Sequence, residues 1–157
     1  MKITTSINGF SKSLEVDPGE MVLDVLRREG YFGVKRGCQE GSCGSCVCLI
    51  DGVPRKTCIM FIGQIQNRSV ITIEGIHKPG KPHPIEDMFV EEAGIQCGYC
   101  IPGMILSAKS LLDQNKDPNE REIKEAISGN ICRCTGYVKQ IKAIKRAAAI
   151  MRGDEET

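Results

Sequence analysis

Apolar and polar residues alternate over Ile3–Ile7 and Phe10–Val16, the period of a half-buried strand. Asn8-Gly9 between them is a favoured two-residue hairpin turn. After the turn Asp17-Pro18-Gly19-Glu20 the period changes. Met21, Val22, Val25 and Leu26 form a helical stripe that Gly30 ends. Val47–Ile50 and Val53–Thr57 flank Asp51-Gly52, a second hairpin signal, which is expected to return Cys58 on a strand toward residues 38–46. Val70–Ile73 is a last short strand. The order β-β-α-β-β-β predicts a small α+β domain in which a mixed sheet grips one helix.

The second half is helical. Ile85, Met88, Phe89 and Glu92 mark a first helix, and Pro102 opens a second that carries Ile105, Leu106, Leu111 and Leu112. Asp117-Pro118-Asn119-Glu120 predicts a third helix with Asp117 as N-cap, Pro118 at N1 and Glu120 at N3. Tyr137, Ile141, Ile144, Ala148 and Met151 mark a fourth, ahead of a frayed tail at residues 153–157. Four short helices predict an all-α four-helix bundle. Between the halves, residues 74–84 hold three prolines and two glycines and read as an irregular linker. The expected division is 1–76 for the first domain, 77–84 for the linker and 85–157 for the second domain.

Composition narrows the chemistry. The chain has 157 residues and a formal net charge of +1, which gives no basic surface for nucleic acid or an anionic membrane. No stretch approaches the about 18 apolar residues of a spanning helix. The start, Met1–Ser6, lacks the apolar run of a signal peptide, so a cytoplasmic location is expected. Nine cysteines are the conspicuous feature. Without an export signal, metal or redox chemistry explains them better than a disulfide scaffold, and their odd number excludes complete pairing.

The first group is Cys38-x4-Cys43-x2-Cys46, followed after eleven residues by Cys58. That is the spacing of plant-type [2Fe–2S] ferredoxins. Glycines 37, 41 and 44 stand beside the ligand positions, where positive φ turns backbone N–H groups toward anionic sulfur. The second group is Cys97-x2-Cys100 and, after thirty-one residues, Cys132-x-Cys134. One intervening residue is poor spacing for a zinc knuckle. Both pairs sit at predicted helix starts, where unpaired N–H groups favour an anionic cluster. A second [2Fe–2S] cluster fits better than zinc. Cys48, in an apolar strand, reads as an ordinary core thiol.

Three segments occur in order: Gly37-Cys38-x-Glu40-Gly41-x-Cys43-Gly44-x-Cys46, Gln96-Cys97-Gly98-Tyr99-Cys100-x-Pro102-Gly103-Met104, and Asn130-x-Cys132-Arg133-Cys134-Thr135-Gly136-Tyr137. Together they resemble the small iron–sulfur subunit, or N-terminal region, of the molybdenum hydroxylases, the xanthine dehydrogenase/aldehyde oxidase family. The likeness covers about residues 2–150. It implies a β-grasp plant-type ferredoxin domain followed by a four-helix domain, with one [2Fe–2S] cluster in each. The implied metal ligands are Cys38, Cys43, Cys46 and Cys58, then Cys97, Cys100, Cys132 and Cys134.

The resemblance also implies partners: a large molybdenum-containing catalytic subunit, together with an FAD-containing subunit. The hetero-oligomer would be a dimer of heterotrimers or heterotetramers. By resemblance, Gln96 and Cys134 lie against a molybdenum–pterin cofactor, in its cytosine dinucleotide form, held by the catalytic subunit. The first-domain cluster is the relay toward FAD. Substrates implied are N-heterocycles such as purines or nicotinate, as in bacterial xanthine and nicotinate dehydrogenases, or aldehydes. No residue of this chain is expected to act on substrate. Ile101 stands where the family commonly has Thr, and Ser45, Val47 and Cys48 depart in part from the common surroundings, but no ligand is lost.

Two other readings compete: a free-standing two-cluster ferredoxin and a zinc-stabilised interaction module. A soluble carrier would be strongly charged for steering, which suits this near-neutral chain less well than a docked subunit. His77 and His83 read as solvated linker residues. Lys139, Lys142, Lys145 and Arg146 read as the wet face of the last helix. Arg133, between two thiols, reads equally as a surface arginine or a partner contact.

Overall fold

Hairpin chemistry sets the sheet. In the computed structural model, which describes residues 1–77 and 80–154, Asn8 and Gly9 take φ of +52° and +87°, and Asp51 and Gly52 take +51° and +80°. Two consecutive left-handed residues match the twist of the strands they join. β1 (Lys2–Ile7) therefore pairs antiparallel with β2 (Phe10–Glu15), and β3 (Val47–Ile50) with β4 (Val53–Lys56). β5 (Ser69–Ile71) enters between the hairpins, parallel to β1 and antiparallel to β3, giving the order β2-β1-β5-β3-β4. α1 (Val22–Arg28) buries Val22, Leu23, Val25 and Leu26 on one face of this mixed sheet.

Three short 3-10 turns, at Thr57–Ile59, Ile62–Ile65 and Ile73–Gly75, lie outside the expected pattern. Cys58 is consequently not on the second hairpin's strand. β4 ends at Lys56, and Thr57 turns the chain by donating its hydroxyl to the Cys46 carbonyl at 2.8 Å. Ile73 likewise leaves β5 for a 3-10 turn.

The helices pack on the other face of the sheet. α2 (Pro84–Glu91), α3 (Ile101–Gln114), α4 (Glu120–Ile127) and α5 (Val138–Arg152) share one core around Met88, Phe89, Met104, Ile123 and Ile144. β3 supplies Val47 and Leu49 to that core, while Cys48 and Ile50 point into the α1 core. All four residues of β3 are buried, the pattern of a strand covered on both faces.

Two further expectations need correction. His83 is not a solvated linker residue: it caps α2, its Nδ1 accepting from Ile85 N at 3.3 Å while Glu86 accepts from His83 N at 2.8 Å. The N-cap of α4 is Asn119, two residues beyond Asp117. Asn119 Oδ1 accepts from Glu122 N at 3.0 Å and Glu122 accepts from Asn119 N at 2.7 Å, whereas the Asp117 carboxylate takes Arg152 at 2.9 Å. The basic run on α5 lies largely exposed, as expected, and three of its members also form ion pairs. Lys142 pairs with Glu92 at 2.8 Å, Lys145 with Glu120 at 2.6 Å, and Arg146 with Glu92 at 2.8 Å. Of the expected linker, residues 78 and 79 lie outside the described residues. Of the expected tail, so do 155–157, while Gly153 closes α5 in the left-handed conformation at φ +86°.

Candidate iron–sulfur centres

None of the nine cysteines is in a disulfide. Cys48 is fully buried in β3, and burial pushes its thiol well above the ordinary range. The other eight gather at two places, and at each place they pair.

At the first, residues 37–46 run without regular structure between α1 and β3. Gln39, Gly41 and Gly44 have positive φ, and the loop curls so that its own N–H groups face sulfur. Cys38 Sγ receives N–H donors from Cys43 at 3.3 Å, Ser42 at 3.3 Å and Glu40 at 3.5 Å, and Cys43 Sγ receives Cys38 N at 3.4 Å. Led by the Cys43 N–H, these donors bring the Cys38 thiol down to about 6. The 3-10 turn after β4 brings Cys58 to Cys46, and their thiols interact side chain to side chain. Burial is the main cause that raises Cys58 to about 11. Gly37 lies so close to Cys43 Sγ that a Cβ there would come within 2.6 Å of it.

At the second place the turn before α3 and the turn before α5 exchange partners. Cys97 and Cys134 are exposed, with their sulfurs 3.7 Å apart. Cys100, the N-cap of α3, meets Cys132 more deeply. Burial raises Cys100 to about 12. Burial opposes ionisation of Cys132 as well, but the Thr135 hydroxyl at 3.0 Å and the N–H groups of Cys134 and Thr135 outweigh it and bring Cys132 to about 7. Each place thus contains one thiol whose pKa is brought below the ordinary cysteine value.

Among the described residues no three His, Cys, Asp or Glu side chains converge on a single-ion centre. Two pairs of thiols beside inward-facing N–H groups are instead the donor set of a two-iron cluster, which takes two thiolates per iron. The residues fit that group at both places.

Sequence reasoning missed Gln140. It lies on the apolar stripe of α5, fully buried, donating to the Gly94 carbonyl at 3.2 Å and reaching Cys132 Sγ at 3.8 Å. Its Oε1 lies 3.0 Å from the Thr135 hydroxyl, whose one hydrogen serves either this oxygen or Cys132 Sγ. A glutamine between Tyr137 and Ile144 on a core-facing stripe was the available signal. Gln96 lies exposed beside Cys97, and Arg133 exposed between Cys132 and Cys134. Ile95, Tyr99, Ile131 and Val138, which flank the second site in sequence, are also exposed.

Comparison with known proteins agrees. Residues 5–63 match the 2Fe-2S iron-sulfur cluster binding domain family, and residues 72–145 the [2Fe-2S] binding domain family. The chain is 47% identical over 146 residues to the nicotinate dehydrogenase small FeS subunit of Eubacterium barkeri, covering 92% of this chain and 93% of that protein. The nicotine 6-hydroxylase small subunit of Paenarthrobacter nicotinovorans is 37% identical over 145 residues, covering 92% of this chain and 87% of that protein. Among solved structures, quinoline 2-oxidoreductase from Pseudomonas putida 86 superposes with a TM-score of 0.92 at 40% identity, covering 99% of this chain and 98% of that one. Aldehyde oxidoreductase from Desulfovibrio gigas superposes with a TM-score of 0.94 at 37% identity, covering 99% of this chain but 18% of that longer one.

Proposed function

The chain belongs to the small [2Fe–2S] iron–sulfur subunits of the molybdenum hydroxylases, and on that premise we infer that Cys38, Cys43, Cys46 and Cys58 hold one cluster and Cys97, Cys100, Cys132 and Cys134 the other. The supporting observation is the two-and-two pairing of these eight thiols inside the two matched regions. The chain is an electron-transfer subunit of an oxidoreductase with a larger catalytic partner. When bound, each cluster accepts and releases one electron at a time. The chain's own residues position thiolates, aim N–H groups at sulfur, and exclude water from Cys46, Cys58 and Cys100, which are all buried. We divide it at residues 77–84 into a ferredoxin domain (1–76) and a helical domain (85–157).

The exposed pair Cys97/Cys134, with Gln96 beside it, supports a contact with the molybdenum–pterin cofactor of the catalytic subunit, in its cytosine dinucleotide form. The exposed apolar residues flanking this pair supply the hydrophobic part of such an interface. The Cys38 loop then faces an FAD-containing subunit, in a cytoplasmic dimer of heterotrimers or heterotetramers. The names of the relatives point to nicotinate or a related N-heterocycle as the substrate of the complex.

Metal and sulfide analysis with EPR tests the assignment. The wild-type chain is expected to hold about four irons and four acid-labile sulfides, with negligible zinc. Cys132→Ser is expected to remove one cluster signal and keep the other. Loss of both signals, or of neither, sinks the two-site assignment. Co-purification with a molybdenum-containing chain that oxidises nicotinate tests the partner and the substrate.

A further inference from the structure

Besides the Tyr99 hydroxyl, which donates to the Arg36 carbonyl, the two thiol sites are joined by a buried contact that neither motif explains alone. Asn130, 2% exposed, donates its side-chain amide to the Gly44 carbonyl at 3.1 Å, a buried bond between residues 86 apart. The next residue, Ile131, donates its N–H to the Cys43 carbonyl at 2.8 Å. Two glycines make room for this contact. A Cβ on Gly44, itself at φ +74°, would stand 2.2 Å from the Gly129 carbonyl and 2.9 Å from Asn130 Cα. A Cβ on Gly103 would stand 2.3 Å from the Gly44 carbonyl, so α3 presses on the same oxygen that Asn130 holds. From the other side, Tyr137 accepts the Cys132 N–H at 2.7 Å and donates to the Asn130 carbonyl at 3.4 Å. Asn130 supplies no thiol. What it fixes is where Cys43 sits relative to Cys132.

We propose that Asn130 is a positioning residue for electron transfer between the two clusters, clamping the loop of Cys43 to the segment of Cys132 at one fixed separation. This rests on the cluster assignment above. Electron tunnelling weakens steeply with distance and with every break in the bonded path. A buried amide–carbonyl bond resists such separation, because opening it leaves two polar groups unpaired away from water.

The test uses the native complex carrying Asn130→Ala, Gly103→Ala, or Ser110→Ala. Gly103→Ala drives a methyl into the same contact. Ser110→Ala is the control: it removes a different bond between the halves, Ser110 Oγ to the Gly52 carbonyl at 2.8 Å, which joins the hairpin tip to the third turn of α3. Three quantities are read: iron content, the magnetic interaction between the two reduced clusters in low-temperature EPR, and the rate at which an electron redistributes between them after rapid reduction. Asn130→Ala and Gly103→Ala are expected to keep their iron, alter the magnetic splitting and slow redistribution about tenfold. Ser110→Ala is expected to lower stability and leave splitting and rate unchanged. Iron-replete Asn130→Ala with wild-type splitting and rate overturns the proposal, as does an equal effect of Ser110→Ala or loss of iron from Asn130→Ala. Absence of iron from the wild-type chain overturns the cluster assignment instead.

Discussion

At Gln140 a polar side chain sits on the core face of α5, where burying an amide without partners would be costly. Gly94, Thr135 and Cys132 satisfy it. Gln140→Leu keeps the bulk and removes all three, so it is expected to destabilise the protein by about 1–3 kcal/mol in urea titrations. It should also make the second cluster's reduction potential more negative, since donors near sulfur favour the more negatively charged reduced form. His83 gives a pH-dependent counterpart. Burial, then Lys109, lowers its pKa from 6.5, with Asp113 and Glu86 opposing and Lys116 assisting. The unfolded chain therefore binds the proton first as pH falls through about 6.5, and stability is lost there until the folded group also protonates. Protonation removes the Nδ1 acceptor that caps α2. His83→Asn, which caps without titrating, is expected to shrink the fall in Tm between about pH 7.5 and about pH 5.5, one unit either side of the ordinary histidine value.

Elements were legible in the sequence to the extent that their signals were local. Both hairpins follow from Asn-Gly and Asp-Gly, because the residue type itself supplies the left-handed φ. The start of α4 was less legible. Asp117 and Asn119 are both good caps with a glutamate three residues on, and the choice fell to Asn119 because Glu122 returns its bond, while Arg152 takes Asp117 and Lys124 and Lys145 take Glu120. Asn119→Ala is expected to cost about 1 kcal/mol, whereas Asp117→Ala costs less, as measured by thermal unfolding. Cys58 was misplaced because the 3-10 turn that carries it depends on a hydroxyl bond from Thr57 to Cys46, eleven residues away. β3 shows what element-level burial is worth. Leu49 is 1% exposed and belongs to the helical core, so Leu49→Ala is expected to cost about 2–5 kcal/mol in chemical denaturation.

For the whole molecule, the core of the helices includes two residues of the sheet, and backbone and side-chain bonds tie the first thiol loop to the second. The halves are therefore expected to unfold together, with far-UV circular dichroism and both cluster signals lost at one urea midpoint. Separate midpoints would show that the shared core contributes little. Ion pairs between α5 and its neighbours add little to this, because they are mostly exposed. With two oxidised clusters at about −2 each, the formal +1 becomes about −3. By itself the sequence determined the eight thiols, their grouping and the turn and helix signals around them, since ligand type, glycine φ and hydrophobic period are properties of neighbouring residues. Only the tertiary structure decided which thiols pair, that Cys97 and Cys134 lie open while Cys100 is buried, that β3 serves two cores, and that Asn130 locks one thiol loop to the other. Each of these depends on contacts between residues tens of positions apart, which no local pattern records.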